Sequence, residues 1–379
     1  MRPAHLLVDL DAIRHNMAVI QQIVGPDTRQ AAIVKANAYG HGAVPVCRAC
    51  VQAGAAMLCV AIADEGVVLR EGGITAPVLV LGPPDPEECD LYLDHDLLST
   101  ISDPAHVRML ADAAARRGQR ARVHLKLDSG MGRHGARSDV LDETADLLAA
   151  SPHVELVGIF SHLADACNTR LDWSERQLQM FTDMLGVLRR RLGEPLPPLH
   201  LANSAAIIRM PDTHFDYVRP GAILYGLNPG FDDSLMPAGF RPALSLKARL
   251  ATIKRIPAGE PVGYRCAWRA RRDTTLAVLP LGYADGYPRA LSDNADVLVG
   301  GRRCPLVGMV SMDAITVDIT DAPGAALGDE AVLIGAQDGE RITVEEIARR
   351  AGTIVEDIVG RLSTRLPRVY LGQRGGGES

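Results

Sequence analysis

The chain lacks the features that would tie it to a membrane, a nucleic acid or an oxidising compartment. No stretch is apolar for long enough to span a bilayer, and the opening Met1-Arg-Pro-Ala-His-Leu-Leu-Val-Asp9 is too short and too interrupted for a secretory signal. There is no long basic or acidic run, and the formal net charge of -6 argues against a nucleic-acid surface. The seven cysteines are scattered and odd in number, as expected of reduced thiols in a cytoplasm. Cys47 and Cys50 have CxxC spacing without a second pair, so they read as small core residues and no metal site is expected. No Walker sequence is present to bind a nucleotide. The one low-complexity segment is the glycine-rich tail from Gly375, expected to be disordered.

What is present is a soluble composition, 47% hydrophobic and 23% charged, in 379 residues, enough for two domains of ordinary size. Short apolar runs at 32–35, 57–61, 78–81, 97–100, 123–127, 156–160, 199–202 and 217–219 alternate with helical patterns. One such helix covers 104–117, stopped by Gly118, and another 174–192, stopped by Gly193. Eight strands in βα alternation predict an N-terminal (β/α)8 TIM-like barrel over 1–228. A ninth short strand, 6–8, stays outside the ring but within the 1–228 stretch, with packing on the second domain as one option. Asp9 or Asp11 caps the helix that follows it. Beyond Asn228-Pro-Gly the texture changes to strand runs at 244–253, 275–279, 296–299, 304–310 and 314–319. Gly300-Gly301 is read as a hairpin turn, and two short helices and a last apolar piece at 369–371 follow. Residues 229–379 are therefore read as a mainly β domain.

The first barrel run leads straight into Lys35-Ala-Asn-Ala-Tyr39-Gly-His41-Gly42. A lysine closing a doubly buried strand needs a partner or a lowered pKa, unless it snorkels to solvent, which the same pattern allows. Polar residues also follow the fifth strand (Lys126, Asp128, Arg133), the sixth (Ser161, His162), the seventh (Asn203, Ser204) and the eighth (Arg219, Gly221, Ala222). That is the face on which barrels build active sites. Ser204 opens a helix, and Gly221-Ala222 offer bare backbone N–H groups, the makings of a phosphate site to which Tyr39 adds a hydroxyl. A phosphate there and a lysine across the mouth suggest pyridoxal phosphate (PLP) bound as a Schiff base.

These residues lie in stretches that resemble the barrel-type PLP-dependent alanine racemases from the start to about Tyr370. The stretches are Ile33-Val-Lys-Ala-Asn-Ala-Tyr-Gly-His-Gly42, Leu125-Lys-Leu-Asp-Ser-Gly-Met-Gly-Arg133, Gly158-Ile-Phe-Ser-His162, Asn203-Ser-Ala205, Val218-Arg-Pro-Gly-Ala-Ile-Leu-Tyr-Gly226, Leu281-Gly-Tyr-Ala-Asp-Gly-Tyr287 and Val310-Ser-Met-Asp313. The resemblance implies that Lys35 carries the cofactor and Tyr264 is the second base. It implies that Arg219 faces the pyridine nitrogen, that His162 lies near the ring, and that Tyr39, Ser204, Gly221 and Ala222 hold the phosphate. Arg133 and the backbone at Met312 are implied to bind the substrate carboxylate. Lys126, implied to carry a carbamate that orients Arg133, has a supporting role with Asp313 and Tyr283. A cytoplasmic homodimer with shared active sites is implied, and a role in supplying D-alanine for peptidoglycan.

The chemistry is coherent with those roles. Racemisation takes a proton from one face of the α-carbon and returns it to the other, which two bases on opposite faces achieve. An arginine opposite the pyridine nitrogen only donates, so the nitrogen stays unprotonated and the electron sink stays weak. A barrel-type PLP decarboxylase would be expected to carry an acid there. A racemase of another amino acid, such as serine or lysine, and a PLP-binding protein without turnover remain alternatives. The chain departs from the family at Arg265, where glycine is common, at Met309, where arginine is common, and at Thr364, where some relatives have tyrosine. Tyr283 and Tyr287 read either as entrance residues or as ordinary half-buried tyrosines.

Overall fold

Eight short parallel strands enclose the larger of two units in the computed structural model, which describes residues 2–373. This unit comprises Ile13–Ala38 and Ala43–Arg241. In chain order its strands are Arg29–Ile33, Met57–Val60, Val78–Val80, Ser99–Ile101, Ala121–Lys126, Val154–Phe160, Leu199–His200 and Tyr217–Val218. The first pairs with both the second and the eighth, and a parallel bridge from Leu79 to Leu98 closes the ring between the third and fourth. Met57–Val60 and Val78–Val80 are buried at every position, as strands covered on both faces must be. The helix Pro104–Arg117 starts on Asp103, whose carboxylate accepts from the Ala105 N–H, and stops at Gly118 with φ +64°. The helix Asp172–Leu192 begins two residues earlier than its apolar spacing predicts.

The first barrel strand is displaced from the expected 32–35. It starts at Arg29 and ends at Ile33, so Lys35 lies beyond it and does not close it. Arg29 and Gln30 enter the ladder because they pair with Tyr217 and Val218, and because the buried Gln30 amide donates to Met17 O and Gln21 Oε1. Polar side chains anchored in this way disguise a strand whose apolar half alone is conspicuous.

The second unit comprises Tyr39–Gly42 and the described parts of Met1–Ala12 and Pro242–Ser379. Its main sheet runs in the order Arg302–Pro305, Asp296–Val299, Glu330–Gln337, Leu244–Arg249, His5–Asp9, Arg368–Leu371, with Glu340–Ile342 added beside Glu330–Gln337. Asp9 supplies the cap of the following helix, its Oδ1 accepting from the N–H groups of Asp11 and Ala12. The hairpin at Gly300-Gly301 forms, both glycines at positive φ. The expected strand at 244–253 divides, Leu244–Arg249 joining the main sheet and Thr252–Ile256 a three-stranded sheet with Thr274–Leu279 and Ile315–Asp318. Tyr39-Gly-His-Gly42 belongs here because Arg368 donates to Gly40 O and because both glycines are approached closely. A Cβ on Gly40 would lie 2.1 Å from Val359 O, and one on Gly42 1.9 Å from the Tyr370 hydroxyl. The tail from Gly375 lies outside the described residues. Among the described residues no helix is long and apolar enough to cross a membrane.

Candidate active site

The barrel strands deliver their polar residues to one mouth, at their carboxyl ends. Lys35 follows the first strand and leads into a turn in which Ala36, Asn37, Ala38 and Tyr39 all have φ between 52° and 55°. Four consecutive non-glycine residues in this left-handed region are costly, so the turn needs anchors. Glu65 supplies one: its Oε1 accepts from Ala36 N–H at 2.5 Å while Oε2 accepts from Ala61 N–H at 2.8 Å. Asn37 supplies another, its Oδ1 accepting from Ala43 N–H at 2.8 Å.

Across the mouth Arg219 is 3% exposed. Its Nη1 donates to His200 Nδ1 at 2.8 Å, and its Nη2 to Ser161 O at 2.6 Å, to Leu201 O at 3.0 Å and to His162 Nδ1 at 3.3 Å. Burial pulls its pKa down to about 10, which leaves it charged at neutral pH. Burial first, and the Arg219 charge second, hold His162 and His200 well below the usual imidazole value, so both are neutral. His162 is steadied from behind by Gln177, a buried residue of Asp172–Leu192. Its amide donates to His162 O at 3.1 Å and accepts from Ala164 N–H at 2.8 Å.

Lys126 ends the fifth strand, 4% exposed, its ammonium 5.4 Å from the centre of the Phe160 ring. Burial pulls its pKa down to about 8, and the charges of Arg133, Arg219 and Lys35 push the same way. These four cations therefore gather around one mouth, with Asp128 acting on Lys126 in the opposite direction. Asp128 is itself engaged: Oδ1 accepts from the N–H groups of Gly130, Met131 and Gly132, shaping the loop that carries the exposed Arg133. Ser204 opens the helix Ser204–Arg209, capped by the Asn203 side chain, and its hydroxyl accepts from Gly221 N–H at 2.8 Å. Ala222 begins the next helical turn, where backbone N–H groups have no intrahelical acceptor. The Gly221 N–H expected to be bare is thus taken up by Ser204, but a crowd of cations beside a serine and the first N–H groups of a helical turn is still the donor set a phosphate ester and a carboxylate require, so the residues fit pyridoxal phosphate.

The remaining candidates lie in the β unit. Tyr264 stands between the short strands Pro261–Val262 and Trp268–Arg269 and is 70% exposed. Arg265 after it has φ +64°, the backbone that explains why glycine suits this position. Met312 is 52% exposed, and Met312 O and Ser311 O accept from Ala284 and Tyr283 N–H. Tyr283 is 41% exposed, whereas Tyr287 is fully buried, which rules out an entrance role for it. Asp285 is buried and takes both Nη groups of Arg2, at 2.5 and 2.9 Å, together with Gly282 N–H, so the Gly-Tyr-Ala-Asp-Gly block is built around a structural carboxylate. Arg365 donates to Asp313 at 2.6 Å. Tyr39 is half-buried, its phenol pushed up by burial and then by Glu356. Thr364 is exposed.

Sequence reasoning passed over Glu65, His124, Gln177 and His200. For the two histidines a signal was available, since His124 lies between Val123 and Leu125 and His200 between Leu199 and Leu201; for Glu65 and Gln177 the helix pattern offers none.

Comparison with known proteins agrees with this geometry. The alanine racemase N-terminal domain matches residues 8–229 and the alanine racemase C-terminal domain residues 243–370. The alanine racemase of Symbiobacterium thermophilum is 42% identical over 373 residues, covering 98% of each chain, and alanine racemase 2 of Caldanaerobacter subterraneus is 39% identical over 98% of this chain and 95% of its own. The crystal structure of the Bacillus anthracis alanine racemase with bound L-Ala-P superposes with a TM-score of 0.93 at 35% identity, covering 98% of this chain and 96% of that one. That of the Bartonella henselae enzyme, with covalently bound pyridoxal phosphate, gives 0.88 at 29% identity, covering 98% and 100%. With both domains matched and the barrel mouth assembled as its motifs require, the chain belongs to the alanine racemase family.

Proposed function

We propose that this chain interconverts L-alanine and D-alanine with pyridoxal 5'-phosphate in the barrel mouth, Lys35 and Tyr264 serving as the two bases. The observation that carries the reading is the gathering of Lys35, Lys126, Arg133 and Arg219 at one mouth. When bound, pyridoxal phosphate supplies the electron withdrawal that makes the α-hydrogen of an amino acid acidic. Lys35 holds the cofactor and works on one face of the α-carbon. Ser204, Gly221 and Ala222, with Tyr39, receive the phosphate, and Arg133 with the Met312 backbone receives the substrate carboxylate. Arg219 only donates, so a ring nitrogen facing it keeps no proton, and return of the proton to the α-carbon is favoured over loss of nitrogen. His162, neutral and held by Arg219 and Gln177, keeps an uncharged flank beside the ring.

Tyr264 works on the other face. Its exposure, with that of Met312 and Tyr283, supports a head-to-tail homodimer in which these residues complete the mouth of a second copy. In this reading Asp313 and Tyr283 support the entrance from the β unit, and a carbamate on Lys126 supports Arg133. The product serves peptidoglycan synthesis in the cytoplasm.

The test has two parts. A panel of L-amino acids is incubated with the holoenzyme and optical rotation is followed; alanine is expected to lose rotation fastest, and a faster loss with serine or lysine changes the substrate. Lys35→Ala and Tyr264→Phe are then mixed and refolded. Shared sites predict recovery of a substantial part of the wild-type rate, because one site of each heterodimer inherits neither defect. Differentially tagged heterodimers that stay at the mutant level place both bases in one chain.

A further inference from the structure

Behind the active mouth the barrel interior holds a chain of polar side chains that the reaction does not touch. Arg219 donates to His200 Nδ1 at 2.8 Å, and His200 Nε2 lies 2.9 Å from His124 Nδ1. All three residues are buried. Guanidinium has no acceptor, so His200 Nδ1 must be the bare nitrogen and its proton must sit on Nε2. That proton points at His124 Nδ1, which must accept and therefore carry none. One donor at the mouth thus orders the protons through two rings.

The barrel is shaped to hold the second ring. The ladder between the fifth and sixth strands skips a residue: Val123 pairs with Leu156, but His124 pairs with Gly158, leaving Val157 unpaired. The residue paired with His124 after the skip is Gly158, and a Cβ there would stand 2.3 Å from His124 Cε1 and Nδ1. Phe160 stacks on His200 at 4.7 Å and 6°, and so fixes the plane of the intermediate ring. A bulge, a glycine and a stacked phenylalanine all serve to place one imidazole nitrogen behind His200.

We propose that His124 is a positioning residue for Arg219, acting through His200: by accepting the Nε2 proton it locks the tautomer that lets His200 receive Arg219. This rests on the reading that Arg219 faces the cofactor nitrogen. Without the acceptor, His200 has a buried donor with no partner. That cost weakens the preference for the form that receives Arg219, and whenever the proton sits on Nδ1 it faces the Arg219 N–H head on and displaces the guanidinium. Burial and the Arg219 charge push the His124 pKa down to about 3, so His124 remains a neutral acceptor across the working range.

The experiment uses full-length holoenzyme labelled with 15N-histidine, with long-range 1H–15N correlation reading which ring nitrogen carries the proton. Wild type is expected to show His200 and His124 neutral, each protonated on Nε2. In His124→Leu the His200 signal should move to the Nδ1–H form. The racemisation kcat should fall about tenfold or more while the KM for alanine stays within about threefold. His124→Asn, whose amide oxygen is an acceptor, should restore the Nε2–H form and most of the rate. Gly158→Ala, which drives a methyl into the ring, should resemble His124→Leu. A wild-type His200 protonated on Nδ1 or on both nitrogens overturns the proposal, even if the leucine variant does not fold. So does a leucine variant with unchanged tautomer. A moved tautomer with an unchanged rate and cofactor spectrum breaks the role given to Arg219 instead.

Discussion

Arg219 and Tyr264 hold their functional groups in contrasting ways. The guanidinium is buried and fixed by two imidazoles and two carbonyls, while the phenol is 70% exposed on a turn whose next two residues, Arg265 and Cys266, have positive φ. The same contrast separates the barrel mouth as a whole from the exposed turns of the β unit. In the mouth, burial and like charge displace pKa values, and Arg219 and His162 are braced by their neighbours. On the turns, Tyr264, Tyr283 and Met312 are exposed. A preorganised half holds its geometry before substrate arrives, and its residues are strongly coupled. An exposed half depends on whatever covers it.

Substitutions at the two halves should therefore differ in kind. Arg219→Glu attacks the braced half at its centre. Racemisation should fall on the order of 10²–10³-fold, and the holoenzyme should gain a long-wavelength absorption absent from wild type. An unchanged spectrum with an unchanged rate would remove Arg219 from the ring. Arg133 sits on the same mouth but on an exposed loop, so Arg133→Ala should raise the KM for alanine about 10–100-fold and leave cofactor content unchanged. Loss of cofactor with an unaltered KM would place it on the phosphate side. Glu65→Ala removes the acceptor of Ala36 and Ala61. Stability should drop by about 1–3 kcal/mol in denaturant titration, with slower reductive fixing of cofactor to Lys35, and Glu65→Gln should be milder. Equal melting of all three proteins would mean the left-handed turn holds itself. Arg265→Gly tests the exposed half. Relief of the positive φ should raise stability by about 0.5–1 kcal/mol with little change in rate, and a destabilised variant would show that the arginine side chain makes up for its backbone.

The ring of strands and its functional edge were legible because each strand is short, apolar and bounded by turn residues, and because Lys35, Lys126, His162, Ser204 and Arg219 all fall at carboxyl ends. What escaped was what depends on partners distant in sequence. Gln30 enters a strand where Met17 and Gln21 accept from its amide nitrogen. Glu330–Gln337, the longest strand of the β unit's main sheet, went unread because an acidic residue opens it and Gly335 interrupts it. The run at 244–253 reads as one strand although its halves join different sheets. His124 and His200 were passed over, and only the spatial order of their nitrogens gives them a direction. The left-handed turn after Lys35 has no glycine among its first four residues, so nothing in its composition announces it.

The carboxylate of Asp285 also governs how the β unit meets acid. Burial alone would raise its pKa, but hydrogen bonds from Arg2 and Gly282 and the charges of Arg2 and Arg365 outweigh burial and set it below the ordinary value. A carboxylate depressed in the folded state lends stability that is complete above the unfolded value, near ~3.9, and is withdrawn as pH falls through the lower folded value. Acid should therefore act on a clasp that joins residue 2 to residues 285 and 365, loosening the Gly-Tyr-Ala-Asp-Gly block and the first strand from the same group.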